Sequence, residues 1–487
     1  MNIEAKEKRI VWGLIFAFLI FFGIFTALRQ YNFQTQAWDM GIFTQTFWNT
    51  VQGRFMQNTL EELPNHFGIH WSPILLLLVP GYALFPSPYF LLFIQTLAVA
   101  LGAWPLYLLS KRILGPEWKE YRVLKNAPII ITAGYLLYAP LHWLTIYDFH
   151  EITFLVPLLI AGFYFMEIRR WGWASLFLLL AAATKEDAVI AVLFMGIYLL
   201  LKRRVPETAQ NSSMPAWLTK ERMFGIAVII FSLLYFIFAI KIVMPAFGGG
   251  LLRLDRYSHF GNTFPEIITT IITQPLFDLK TIFTAEKIRY AVWLLLPVSF
   301  LPFFSWRTLI LLIPGLAENL LTNFPAQFSG FYQYDATLIA GIFIGATLGL
   351  KNIVDKKWMA KKIALAALIA AIFIGYIMRS PVNPVFFPTN LFKTNPQWDA
   401  LRAVLRSIPS SASVSANTNL VPHLANREHI YTLDQEPFPA DIIIADQTDS
   451  FGFSDTQSFE NYLMNYLNSG LYTFQTIENR YVIIIKK

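Results

Sequence analysis

The sequence predicts a polytopic α-helical membrane protein that ends in a small α/β domain. Of its 487 residues, 55% are hydrophobic and only 14% are charged, against roughly a quarter charged in soluble domains. Apolar runs of bilayer-spanning length recur through the first four-fifths of the chain, with Lys and Arg gathered at their ends. From about residue 391 the pattern changes to short β-like runs alternating with helical spacing.

The first apolar run, 9–28, follows Lys6, Lys8 and Arg9. About 20 apolar residues cross a bilayer. No small-residue cleavage site follows this run, so a retained span with a cytoplasmic N-terminus is expected. Further spans are expected at 88–110, 127–144, 152–168, 172–184, 187–201, 222–243, 290–304, 306–323, 335–350 and 362–379, about eleven in all. The stretches 172–184 and 187–201 are short and suit a re-entrant or broken pair. The apolar segment 73–85 is interrupted by Pro80-Gly81 and is too short to span, so it is expected as an interfacial or re-entrant helix.

Charge sets the direction. With the N-terminus inside, the cytoplasmic connections are 111–126, 169–171, 202–221, 305–307 and 351–361. They collect basic residues such as Lys111, Arg112, Arg169, Arg170, Lys202 and Arg203. The outer connections before the last span carry about half as many, which is the positive-inside pattern. An odd number of spans then leaves residues 1–380 as a multi-spanning domain with a long first outer loop, 29–72. It makes 391–487 a soluble extracytoplasmic α/β domain of a multi-pass cell-membrane protein.

Composition also excludes. The chain has no cysteine, which rules out disulfides and thiolate metal sites. The net charge of +7 sits at span ends rather than along a basic stripe, so nucleic acid is not an expected partner. No glycine-rich phosphate loop opens a helix in 391–487, so no nucleotide is assigned there.

Ionisable residues concentrate in the outer connections. Asp39, in Trp38-Asp39-Met40-Gly41, follows the first span; it suits a helix cap, a general base or a metal ligand. His66 and His70 stand at i and i+4 and would share a helix face, although Gly68 weakens that helix and the glutamate of a zinc-protease motif is missing. Asp148-Phe149-His150-Glu151 puts three ionisable groups between two apolar runs, more than capping needs. Lys185-Glu186-Asp187 divides 172–184 from 187–201 and is either solvated or aimed at a phosphate. Arg256 and His259 follow Gly248-Gly249-Gly250, which suits either a hinged gate over an anion or an ordinary loop. The segment 319–335 adds Asn319, Asn323, Gln327, Gln333 and Asp335.

The order of these parts resembles the GT-C superfamily of glycosyltransferases. The residues that carry the likeness are His70-Trp71-Ser72-Pro73-Ile74-Leu75, the Thr184-Lys185 step and Asp39 in the first outer loop. More closely, the chain resembles the membrane family named domain of unknown function 2079. That likeness rests on Trp38-Asp39-Met40-Gly41-Ile42-Phe43, His66-Phe67 with Ser72-Pro73, Asp148-Phe149-His150-Glu151, Lys185-Glu186-Asp187, Leu254-Asp255-Arg256-Tyr257 and Val421-Pro422-His423-Leu424. The GT-C resemblance implies sugar transfer from a polyprenyl-phosphate donor to an acceptor at the outer face, with membrane lipids as partners. It makes Asp39 the catalytic acid. His66, His70, Asp148, His150, Glu151, Lys185, Glu186, Asp187, Arg256 and His259 would bind substrate. The superfamily often pairs two acids in the first loop, whereas Met40 follows Asp39 here. A divalent cation (Mg or Mn) bound by Asp39 would therefore take its second acid from Asp148, Glu151 or elsewhere. A transporter or lipid flippase, and a non-catalytic protein whose outer domain binds a partner, are the alternatives. No ionisable residue need sit deep in a span and no repeat relates the halves, which counts against transport.

Overall fold

The computed structural model describes residues 3–118, 126–202, 219–356, 359–393, 395–435 and 440–487. Residues 119–125 and 203–218, in two of the expected cytoplasmic connections, lie outside them.

Among the described residues, 5 helices are long and apolar enough to cross a membrane: Glu4–Tyr31, Pro88–Leu114, Lys220–Ala246, Gln333–Asp355 and Lys361–Arg379. Ala127–Leu136 and Ala139–Ile146, bent by 42° about their junction, make a sixth if taken as one span. Pro140 supplies the break, since a proline at the second helix's first turn has no N–H to give back to the preceding turn. The other expected spans are shorter or broken. Leu155–Glu167, Trp171–Ala182 and Ala188–Leu201 are helices of 13, 12 and 14 residues. The stretch 290–304 leaves its helix at Leu295 and passes through left-handed Ser299 and Phe300 between two proline-containing 3-10 turns. A β-carbon makes that conformation costly, so the chain turns there instead of continuing as one rod.

The helix Ala336–Asp355 lies at the centre and is buried along nearly its whole length. Its glycines explain how. A Cβ on Gly345 would lie 3.0 Å from the Pro302 side chain, and one on Gly349 would overlap the Leu301 carbonyl. Glycines four apart make a flat face against which neighbouring backbone packs closely, the usual device where lipid gives no hydrophobic drive between helices. Around this helix pack Ala103–Trp118, Leu155–Glu167 and the 3-10 turn Leu301–Phe304.

The expected first outer loop is not a loop throughout. It contains a π-turn, Ala37–Gly41, running into the helix Ile42–Val51. Phe43 and Phe47, one helical turn apart, bury the inner face against Tyr82, Phe67 and Phe149. Pro73–Leu77 and Val79–Leu84 are two short turns, too short to span. The connection 244–289, expected on the outer side, also contains helices, Phe264–Thr273 and Pro275–Ile282.

Near the C-terminus the strands β1 (Val414–Ala416), β2 (Ile430–Thr432), β3 (Ile442–Asp446), β4 (Tyr472–Ile477) and β5 (Tyr481–Lys486) form one sheet in the order β2-β1-β3-β5-β4. β1 is parallel to β2 and β3, and β5 is antiparallel to β3 and β4. β1 and β3 are buried throughout, as apolar runs in a sheet covered on both faces should be. One face packs on Phe459 and Leu463 of the helix Thr456–Asn468. The other joins Leu401 and Leu405 of the helix Pro396–Ser407 to Phe33, Ala37, Ile42 and Leu60. The core of the sheet is therefore completed by the segment that carries Asp39.

Candidate functional site

The connecting segments meet around a cavity of about 790 Å³. Asp39, Glu61, His66, His70, His150, Glu151, Lys185, Glu186, Asp187 and Arg256 all line it. One side is apolar, with Phe194, Phe236, Ile267 and Ile271. Gln435, from the C-terminal sheet region, closes part of the rim.

Asp39 sits in the π-turn, whose extra residue per turn re-aims its side chain relative to a regular helix. Its Oδ1 lies 2.7 Å from His150 Nε2. His150 is oriented from behind: its Nδ1–H donates to the Asp148 carbonyl at 2.9 Å, and its backbone N–H donates to Gln95 Oε1 at 2.8 Å. The backbone N–H of Gln36 donates to Asp148 Oδ2 at 2.6 Å. Two segments far apart in sequence are thus tied together on both sides of the pair. Burial opposes charge on both groups, yet each stabilises the other's ion. His150, with Asp39 beside it, is pushed up to about 9. Asp39 is held below the ordinary carboxyl value by His150 and by a hydrogen bond from Tyr147. Asp148 is pushed up to about 6, chiefly by burial and against the pull of Arg29. It stands behind Asp39 rather than in the cavity lining.

The two histidines do not share a helix face. The helix His66–Ile69 is a single turn, and His70 is already extended (φ −137°, ψ 123°). Gly68 is the reason. Its carbonyl accepts the Gly250 N–H at 3.2 Å, and a Cβ there would lie 2.7 Å from the Phe247 carbonyl oxygen. The rings nonetheless end 6.1 Å apart. Each has its own acid: His66 Nδ1 is 3.1 Å from Glu61, and His70 Nδ1 is 3.0 Å from Glu186. Glu186 also accepts the Trp71 N–H at 3.0 Å. The outcomes differ. Burial, with Lys185 nearby, drives His70 down to about 3. His66 is raised despite burial, because Glu61 pairs with it. His70 is therefore the neutral imidazole; with Nδ1–H given to Glu186, its Nε2 carries a lone pair.

Lys185 stands among carboxylates. Burial works against its charge, but Asp187, Glu186, Glu151 and Glu318 outweigh that and hold it protonated. Arg256 lies over two rings, 4.4 Å from the Phe324 centroid and 5.4 Å from that of Tyr334. Stacking of this kind holds a guanidinium while leaving its N–H edge available. Buried polar atoms without a hydrogen-bond partner in the protein include His66 Nε2, Glu151 Oε2 and Asp187 Oδ1. Such atoms around one cavity mark a site built for a polar ligand, since each costs free energy left unpaired.

Two expectations are corrected. His259 does not line the cavity; its ring packs on Phe260 and Phe277. Gly248-Gly249-Gly250 is no free hinge, because a Cβ on Gly249 would overlap the Gly68 carbonyl and Gly250 is bonded to that same oxygen. Among the described residues, no group of three or more His, Asp or Glu side chains is arranged to hold a metal. Asp39, Asp148 and Glu151 do not converge as ligands, so no step is routed through a cation. Sequence reasoning left Glu318, Tyr147 and Gln435 out of the site; Tyr147 adjoins the Asp148-Phe149-His150-Glu151 run, the one available cue.

Fold and site together define a class: a polytopic helical membrane protein with a charged cavity where its connecting segments meet, closed in part by a small C-terminal sheet. The chain belongs to the family of predicted membrane proteins described as DUF2079, whose model matches residues 29–483. Among solved structures it is similar to ArnT from Cupriavidus metallidurans bound to undecaprenyl phosphate. The TM-score is 0.52 at 10% identity, covering 96% of this chain and 98% of that one. The apo state of the same protein matches with a TM-score of 0.49 at 10% identity, covering 92% and 93%. No curated protein matches the sequence. The fold is similar to that of ArnT.

Proposed function

We propose that the protein is a membrane glycosyltransferase that moves a sugar from a polyprenyl-phosphate donor to an acceptor at the outer face of the membrane. The observation that carries this reading is one cavity that brings Asp39, Lys185 and Arg256 together against an apolar wall, in a fold similar to that of a protein bound to undecaprenyl phosphate. In the proposed reaction an acceptor hydroxyl attacks the anomeric carbon. The bond from that carbon to the phosphate oxygen breaks, and the phosphate leaves with the electron pair. Lys185 and Arg256 meet the charge that grows on the phosphate, where fixed donors in a water-poor site are most effective. Asp39 orients the acceptor and takes its proton, and the His150 imidazolium keeps it ionised until then. His66 Nε2–H donates to the phosphate or sugar, the His70 Nε2 lone pair accepts from a sugar hydroxyl, and Glu151, Glu186 and Asp187 hold further sugar hydroxyls.

The charge asymmetry of the connections supports a cytoplasmic N-terminus, with the cavity and the sheet outside. Lipid-linked sugars are the donors present on that side. The reading is tested by supplying the purified protein with a panel of polyprenyl-phosphate sugars and a mixed acceptor extract, with and without EDTA. Release of polyprenyl phosphate coupled to sugar transfer is expected from at least one donor, unchanged by EDTA. No turnover with any donor would refute the proposal.

A further inference from the structure

The helices Phe264–Thr273 and Pro275–Ile282 are apolar on two sides. The first is built by its ends: Thr263 Oγ1 accepts the Glu266 N–H at 3.4 Å, and Glu266 Oε2 accepts the Asn262 N–H at 2.8 Å, a reciprocal cap. Pro275 opens the second. Inward, Ile267 and Ile271 line the cavity. Outward, Ile268, Ile272, Leu276, Leu279 and Phe283 follow one another at three- and four-residue steps, and Ile272 is 74% exposed, Leu276 75% and Phe283 66%. A pair of short helices facing water on its outer side would not display such a row.

The outer row adjoins the exposed apolar face of a candidate span. Lys220–Ala246 is a candidate span, and exposed Leu234, Ile237 and Phe238 lie near its end. Its Phe236 meets Phe264 at a ring-centroid distance of 6.1 Å. That contact seats the helix pair directly beside the span. Apolar on the outer side with Glu266, Asp278 and Lys280 among its polar positions, the pair has the composition of helices that lie in the headgroup and acyl boundary.

We propose that the helix pair 264–283 lies in the outer leaflet, with Ile272, Leu276 and Phe283 against lipid, and forms the wall that separates the charged cavity from the bilayer. Lipid contact here does not depend on which reaction the cavity performs. On the glycosyltransferase reading, the same wall lets a lipid-tailed donor keep its chain in the bilayer while its phosphate enters.

The chain has no cysteine, so single cysteines can be placed without removing any. Spin labels at Ile272→Cys and Leu276→Cys are compared, in phosphatidylethanolamine and phosphatidylglycerol vesicles, with Ile230→Cys on the span and Glu460→Cys on the C-terminal domain. Relaxation by oxygen reports lipid and relaxation by a nickel chelate reports water. Labels at 272 and 276 are expected to match 230, with oxygen favoured at least several-fold over nickel. A match to 460 overturns the proposal. Exclusion of both reagents, relieved on dilution of protein in lipid, would show that a second copy covers the row and overturns it equally. No turnover is measured, so this result stands apart from the test of the reaction.

Discussion

Asp39 and His150 form an ion pair that burial alone would discharge. The mutual pull has a stability consequence whose sign differs by side. His150 is raised from 6.5 to about 9 in the folded protein. Its contribution is fully present below the unfolded value and is lost as pH rises through about 9. Asp39 is lowered, so its contribution is present above the unfolded carboxyl value and is lost as pH falls through the folded one. Replacing His150 with Gln leaves a buried carboxylate without its counter-charge, a loss on the order of 2–4 kcal/mol. Thermal unfolding in detergent should therefore show a stability decline between pH 7 and 10 in the wild type that is absent in His150→Gln. A parallel decline in both proteins would show that His150 is not its source. These residues were legible in the sequence because acids and histidines beside apolar runs are costly without a partner. Glu61, Glu318 and Gln435 were not assigned roles there. Glu61 looks like one acid among several in a polar loop, and Gln435 reaches the cavity only through the fold of a distant segment.

The element that presents Asp39 is held from behind by the C-terminal sheet region. The short helix Val421–Leu424 packs on the π-turn Ala37–Gly41. Thr418 Oγ1–H donates to Gln36 Oε1 at 2.7 Å. Gly41 has no room for a side chain: a Cβ would lie 2.8 Å from Val421 Cγ1. Gly41→Ala should therefore shift the turn and cost about 1–3 kcal/mol by overpacking. Val421→Ala should restore much of the loss in the double variant. Additive effects in a double-mutant cycle of thermal stability would show that the two sites are not coupled. The sequence already held Trp38-Asp39-Met40-Gly41 and Val421-Pro422-His423-Leu424 as separate marks of one family. Their contact across almost 400 residues is a tertiary fact that no periodicity encodes. The helices within 264–283 and the break at Ser299 and Phe300 were missed for a different reason. Short apolar stretches read alike as loop, interfacial helix or span until the backbone dihedrals are known.

At the scale of the whole molecule, the sheet shares its core with the segment that carries Asp39. Residues 391–487 carry the expected alternation of strands and helices. Their composition did not reveal that Phe33, Ala37, Ile42 and Leu60 complete the sheet's inner face. Expressed alone, 391–487 would expose that face to water. We expect it to be unfolded or aggregated by circular dichroism and sizing, and a well-folded monomer would contradict the shared core. Span number follows the same logic. Among the described residues, five helices meet the length and apolarity of a span. Broken and short segments sit between them, where protein rather than lipid satisfies the backbone.

The central claim is that the Asp39 cavity transfers a sugar from a polyprenyl phosphate. It is tested most directly by initial rates of transfer from a radiolabelled polyprenyl-phosphate sugar, measured for the wild type and Asp39→Asn in lipid nanodiscs. Asparagine keeps the shape of Asp39 but can neither take the proton nor pair as an anion with His150. The expected result is a fall in kcat of about 100-fold or more, with KM for the donor little changed because Lys185 and Arg256 still hold its phosphate. A variant that transfers sugar at the wild-type rate would contradict the account.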